Sequence, residues 1–197
     1  GPLTGMLLAD QGADVIRIDP PGGPHWQTPG NATWNRGKRS IVLDLKDSTG
    51  VEVAQSLVKD ADIFVQNLRP GAMDRLGLGY EALKHLNPQL VYCSISGYGG
   101  TGPSSHRSSF DLVAQGEAGL MSITGIPGGD PVKVGVPITD LNAGMYAAFG
   151  ILSAYKSVRH CPYCCVGFQK LDETVRVQIL INGDQMRQGT EFWIRGF

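Results

Sequence analysis

The feature that most constrains this chain is the alternation of short apolar runs with helical segments over its first hundred residues. Ala13–Asp19, Ile63-Phe64-Val65 and Leu90–Ile95 read as strands, and Ser40–Leu45 alternates with Ile41, Leu43 and Leu45 on one face. Helices fall between them. Gly1–Gly12 has Pro2 in its first turn and Leu3 and Leu7 at helical spacing. Thr49 and Glu52 have capping-box spacing before a helix to about Lys59, with Val51, Ala54 and Val58 facing inward. Tyr80–Leu86 is a third, shorter helix. Pro20-Pro21-Gly22-Gly23-Pro24 stops the first strand, and a polar loop runs on to Arg39. This order predicts an α/β fold, a Rossmann-like parallel sheet with flanking helices.

In such sheets ligands collect where the strands end. Three polar segments lie there: Asp19-Pro20-Pro21-Gly22, Gln66-Asn67-Leu68-Arg69 and Ser96-Gly97-Tyr98-Gly99. Further on, Asp111–Gly119 reads as a helix and Gly125–Gly135 as a turn-rich loop. Asp140–Val158 is the strongest helix, with Leu141, Met145, Ala148, Leu152 and Tyr155 at spacings of three and four. It is apolar nearly all round, which predicts burial. Beyond Val158 no clear period continues. Val175–Ile181 is a candidate strand, and Phe192, Trp193 and Phe197 sit in a tail with no evident partner.

Composition excludes some classes. A length of 197 residues fits one domain or part of a larger one, and 42% hydrophobic residues suffice for a core. Lys plus Arg is 17 against 18 Asp plus Glu, which argues against a nucleic-acid partner. No membrane partner is expected either, because the longest apolar stretch, Leu141–Tyr155, is too short to span a bilayer and contains Asn142 and Ser153. The chain opens on Gly1 with no visible targeting segment, so it is expected to start inside a longer protein. Cys93 stands alone and Cys161, Cys164 and Cys165 crowd the tail, with no secreted disulfide framework. A reducing compartment is expected: the cytoplasm, or the mitochondrion if the source is eukaryotic.

Each candidate motif has a bland counterpart. Gly97-Tyr98-Gly99-Gly100-Thr101-Gly102 fits G-x-G-x-x-G after a strand, but Pro103-Ser104-Ser105 follows where a dinucleotide fingerprint opens a helix. Arg36-Gly37-Lys38-Arg39, Arg69 and Arg75 suit either the phosphates of an anionic ligand or a solvated surface. Asp140 begins the last helix, where an ionised carboxylate is favoured and either caps the helix or attacks an electrophile. His25, His85, His106 and His160 are scattered. Cys161-x-x-Cys164-Cys165 beside His160 lacks the second ligand pair of a structural zinc site, so no metal is expected.

Taken together, residues 1 to about 157 resemble the class III CoA transferases, the CaiB/BaiF type, a group that also includes 2-methylacyl-CoA racemases. The matching segments are Leu7-Leu8-Ala9-Asp10-Gln11-Gly12-Ala13-Asp14-Val15-Ile16 after Gly1-Pro2, Asn35-Arg36-Gly37-Lys38-Arg39-Ser40-Ile41, Gln66-Asn67-Leu68-Arg69-Pro70-Gly71, Leu76-Gly77-Leu78-Gly79-Tyr80, Tyr92-Cys93-Ser94-Ile95-Ser96-Gly97-Tyr98-Gly99 and Gly135-Val136-Pro137-Ile138-Thr139-Asp140. They follow the family's order and spacing.

The resemblance implies an incomplete large domain over 1–157 and a divergent tail over 158–197. It makes Asp140 the nucleophile that takes CoA from an acyl-CoA, through an acyl anhydride and an aspartyl thioester, and passes it to a small carboxylic acid. Coenzyme A thioester is then a substrate, and no permanent cofactor is expected. Contacts to CoA are implied at Trp34, Asn35, Arg36 and Gly37, at Asn67, Leu68 and Arg69, at Arg75, and at Ser109, Phe110 and Asp111. Phe110 stands where the racemases carry a proton-transferring His, which favours transfer over the alternative racemase activity. Pro20 departs from the family's usual Arg. A strand before Gly1, a second domain and a shielding glycine-rich loop have no counterpart here, and family members form interlocked homodimers. A sheet lacking one strand and a non-catalytic CoA-binding fragment are therefore further expectations.

Overall fold

The computed structural model describes residues 1–24, 29–159, 176–181 and 191–195. The elements are α1 (Pro2–Asp10), β1 (Asp14–Asp19), α2 (Pro29–Trp34), β2 (Lys38–Val42), α3 (Ser48–Lys59), β3 (Ile63–Gln66), α4 (Ala72–Arg75), α5 (Tyr80–Leu86), β4 (Val91–Ser96), α6 (Asp111–Glu117), α7 (Ile138–Arg159), β5 (Arg176–Ile181) and β6 (Glu191–Arg195). The strands form one sheet in the order β2-β1-β5-β3-β4-β6. All neighbouring pairs run parallel except the edge strand β6, which is antiparallel to β4.

The sheet separates two cores, and strand periodicity decides which residue joins which. Val15, Ile63, Val65, Val91, Cys93 and Ile95 pack with Leu8 of α1 and Ala143, Ala147 and Ile151 of α7. Ile18, Phe64 and Tyr92 point the other way, onto Ala54 and Val58 of α3 and Leu83 of α5. Phe64 and Tyr92 are cross-strand neighbours whose rings stack at 5.0 Å. Parallel strands buried on both faces carry near-continuous apolar runs, as Ile63-Phe64-Val65 does.

Several boundaries differ from the expectations, each for a physical reason. Part of the loop before Arg39 forms α2. β2 stops at Val42 because its partner β1 ends at Asp19; after the last bond, Leu43 N–H to Asp19 O at 2.9 Å, Leu43 and Leu45 still pack inward as loop. The N-cap of α3 is Asp47, whose carboxylate accepts from the Thr49 N–H at 2.7 Å, in place of a Thr49 cap. α7 begins at Ile138, so Asp140 lies inside its first turn. Nor is α7 buried all round: Ala143, Ala147 and Ile151 face the sheet, while Tyr146 is 62% and Phe149 70% exposed. Ile151 and Tyr155 join the alanines in that seam, while Tyr146 and Phe149 point away.

The tail is not without partners. β5 lies between β1 and β3, parallel to both, so the expected gap in the sheet is filled, and β6 pairs with β4 from Tyr92–Arg195 to Ser96–Glu191. His25, His160, Cys161, Cys164, Cys165 and Phe197 lie outside the described residues. Among the described residues no helix is long and apolar enough to cross a membrane, and no group of His, Cys, Asp and Glu is placed to hold a metal.

Candidate functional site

The carboxyl ends of β3 and β4 meet the amino ends of α1 and α7. Two close approaches bring them together. A Cβ on Gly1 would fall 2.6 Å from Asn67 Oδ1, so the start of α1 rests on the residue that follows β3. On α7, a Cβ at Gly144 would come within 3.0 to 3.2 Å of Leu3, and the Thr4 hydroxyl donates to the Gly144 carbonyl at 3.0 Å. Glycine therefore lets α1 lie directly on α7, one turn past Asp140. Asn67 and Asp140 thus both lie near Gly1 at this junction.

Asp140 Oδ1 is buried and has no hydrogen-bond partner, and Asn67 Oδ1 is in the same condition. A buried carboxylate oxygen with no donor is costly, and such groups concentrate at functional sites. Burial first, and then the nearby Asp111 charge, push the Asp140 carboxyl up to about 6. At neutral pH Asp140 is still mostly ionised. It is therefore an anion with weak solvation, the condition in which a carboxylate is a competent nucleophile.

Asp111 opens α6 and reaches across to the first turn of α7. Its Oδ1 accepts from the Thr139 N–H at 2.9 Å, the Thr139 hydroxyl at 2.7 Å and the Asp140 N–H at 3.4 Å. Its other oxygen accepts from the Gln115 side-chain amide. Ser109, 1% exposed, and Phe110 precede it.

The turn after β3 is also built firmly. The Gln66 side chain donates to Ser94 Oγ at 2.6 Å and accepts from the Leu68 N–H at 2.8 Å, which holds the segment that leads to Arg69. Arg75 lies further out, along a surface groove it shares with Lys46 and Ser48.

Trp34, Asn35, Arg36 and Gly37 are placed elsewhere. They precede β2 and therefore sit at the amino edge of the sheet, opposite Asn67 and Asp140. Arg36 makes a two-pronged pair with Asp10 at the end of α1, at 3.0 and 2.6 Å. Lys38 instead runs along α1 and donates to the Pro2 carbonyl at 2.8 Å. Burial, then Arg17, push its ammonium down to about 7, with Asp19 acting in the opposite sense. The structure thus brings Asn67, Asp111 and Asp140 together and keeps the 34–37 segment apart. Gln115 was not legible beforehand; its only signal is a position one helical turn after Asp111.

Residues 1–160 match the family described as CoA-transferase family III. Over 172 residues the chain is 41% identical to succinyl-CoA:glutarate CoA-transferase of Mus musculus, a match covering 80% of this chain and 39% of that protein. It is 42% identical over 165 residues to acetyl-CoA:oxalate CoA-transferase of Acetobacter aceti, covering 78% of this chain and 42% of that one. A solved CAIB/BAIF family protein from Brucella suis superposes with a TM-score of 0.73 at 40% identity, covering 77% of this chain and 44% of its own. The chain spans about two fifths of the length of these curated relatives.

Proposed function

The chain belongs to CoA-transferase family III, and from that premise we propose that the intact protein moves coenzyme A from an acyl-CoA to a small carboxylic acid, with Asp140 as the covalent nucleophile. The observation that carries this reading is the half-buried Asp140 carboxylate near the strand ends, whose Oδ1 is buried and unpartnered. The Asp140 carboxylate attacks the thioester carbonyl, forming an acyl–aspartyl anhydride and expelling CoA thiolate. The thiolate attacks the aspartyl carbonyl, which gives an aspartyl-CoA thioester and frees the donor acid. The acceptor carboxylate attacks that thioester, and the released thiolate then takes the acceptor's acyl group, which regenerates Asp140. One thioester replaces another, so no external energy source is needed.

The names of the relatives pair succinyl-CoA or acetyl-CoA with glutarate, oxalate and mesaconate, so a dicarboxylic acceptor is the first to try. Asn67, Leu68 and Arg69, with Ser109, Phe110 and Asp111, line the approach to Asp140 in this reading, and Arg75 serves the outer, phosphate-bearing part of CoA. A homodimer is part of the proposal for the full-length protein. The test uses that protein. Hydroxylamine should attack the activated aspartyl thioester, releasing CoA and leaving Asp140 as a hydroxamate, and Asp140→Asn should lose turnover while keeping CoA affinity. Full turnover in that variant rejects the reading. Exchange of the α-proton of a 2-methylacyl-CoA in deuterated water at the rate of turnover would instead favour racemisation.

A further inference from the structure

We propose that Asp111 is a positioning residue for Asp140: its carboxylate, held by Gln115, clasps the backbone at Thr139 and Asp140 and thereby sets where the Asp140 carboxylate points. The inference rests on the nucleophile role given to Asp140 above.

The first N–H groups of a helix have no partner within it and need acceptors. The residues just before α7, Gly135, Val136 and Pro137, carry no side-chain acceptor, so α7 cannot cap itself from its own loop. Asp111 supplies that acceptor from another element, 28 residues away in sequence, with one oxygen serving two N–H groups and a hydroxyl around Asp140. Gln115 makes the clasp rigid. It is fully buried; its amide donates to Asp111 and to the Val136 carbonyl at 3.5 Å, and its oxygen accepts from the Val134 N–H at 2.8 Å. Two side chains of α6, one turn apart, thus fix the whole run from Val134 to Asp140.

The arrangement has an electrostatic side as well. The ionisable side chain facing Asp140 is Asp111 from α6, and the buried Cys93 thiol of β4 lies near Gly1 of the adjoining α1 start. Asp111 is a like charge and disfavours ionisation of Asp140. It therefore both orients the nucleophile and keeps it closer to neutrality than an ordinary carboxylate.

Two substitutions separate these effects in the full-length protein. Asp111→Asn keeps an oxygen that can accept from Thr139 and removes the charge. Asp111→Ala removes both. The alanine variant should lose roughly 10–100-fold in kcat, as expected for a misplaced reacting group. The asparagine variant should recover most of that kcat and move the acid limb of its pH profile lower. Titration of the Asp140 side-chain carboxyl, observed by carbon-13 NMR, gives a readout independent of turnover: its midpoint should fall in Asp111→Asn. An unchanged midpoint there, or wild-type kcat in Asp111→Ala, overturns the proposal. If Asp111→Ala does not fold, Gln115→Ala, which loosens the clasp and leaves Asp111 in place, decides by the same loss of kcat. A shifted midpoint in a protein with no acyl-Asp140 would uphold the charge that Asp111 places beside Asp140 and reject only the transfer chemistry.

Discussion

Asp140 is held in its ionised form against the interest of stability. Its carboxyl is raised from the model-peptide value of 3.8 to about 6 by burial and by Asp111. The folded state thus holds a proton that the unfolded chain releases between those values, and folding stability falls as pH rises through that window. Allowing for solvent screening of a partly exposed group, the cost at neutral pH is about 1–2 kcal/mol. Asp140→Asn should therefore raise the thermal midpoint at pH 7.5, with the gain vanishing below about pH 4, as read by calorimetry across pH. Lys38 gives the complementary case. Its folded value of about 7 lies below the ordinary 10.5. The unfolded chain then binds the extra proton, and stability rises with pH across that interval. In Lys38→Met the rise should be shallower, which denaturant titrations at pH 7 and 10 would measure.

At the level of elements, the site depends on how closely α1 and α7 approach. Gly144→Val places branched carbons where Leu3 already stands, its Cβ 3.0 to 3.2 Å from that side chain. Overpacking of this kind costs about 1–3 kcal/mol and should part the helices just below Asp140. The expected result is a lower denaturant midpoint together with reduced reactivity of Asp140 toward hydroxylamine-trappable acylation. On the opposite core, Asn87 at the end of α5 donates to the Val58 and Ala61 carbonyls at 3.1 and 2.7 Å, closing the end of α3. Asn87→Leu leaves those carbonyls without their donor. A loss of about 1–3 kcal/mol is expected with no change in the Asp140 titration, since Asn87 touches the other face of the sheet.

For the molecule as a whole, β5 is the strand that joins two half-sheets. β2-β1 and β3-β4 are each paired internally, but β1 and β3 meet only through residues 176–181. A chain ending at Arg159 would leave two inner strands with unpaired backbone groups, an arrangement open to aggregation. That truncation should lose the cooperative unfolding transition and bind a hydrophobic dye, whereas the 197-residue chain should not; a cooperative transition in the shorter chain would show that α1 and α7 hold the half-sheets together unaided.

Local pattern was enough to place the strands and the longer helices of residues 1–159, but not α2 or α4. Apolar runs such as Ile63-Phe64-Val65, caps and glycines act over a few residues, so their outcome is written where they occur, and the order of strands and helices followed directly. Asp140 and Asn67 were also legible as candidates, because they stand at the ends of elements where an α/β sheet gathers its ligands. What local pattern did not contain was pairing at long range. Nothing in the spacing of residues 176–181 tells which two strands they join, because a parallel slot is defined by the edges of β1 and β3 together. The same holds for the face of α7: sequence shows an apolar helix, but only contact with Leu3 selects the glycine and alanine stripe as the buried side and leaves Tyr146 and Phe149 outward. The clasp on Asp140 is tertiary in the same sense. Asp111 and Thr139 lie 28 residues apart, and only the packing of α6 beside α7 turns a helix-opening aspartate into the partner of another.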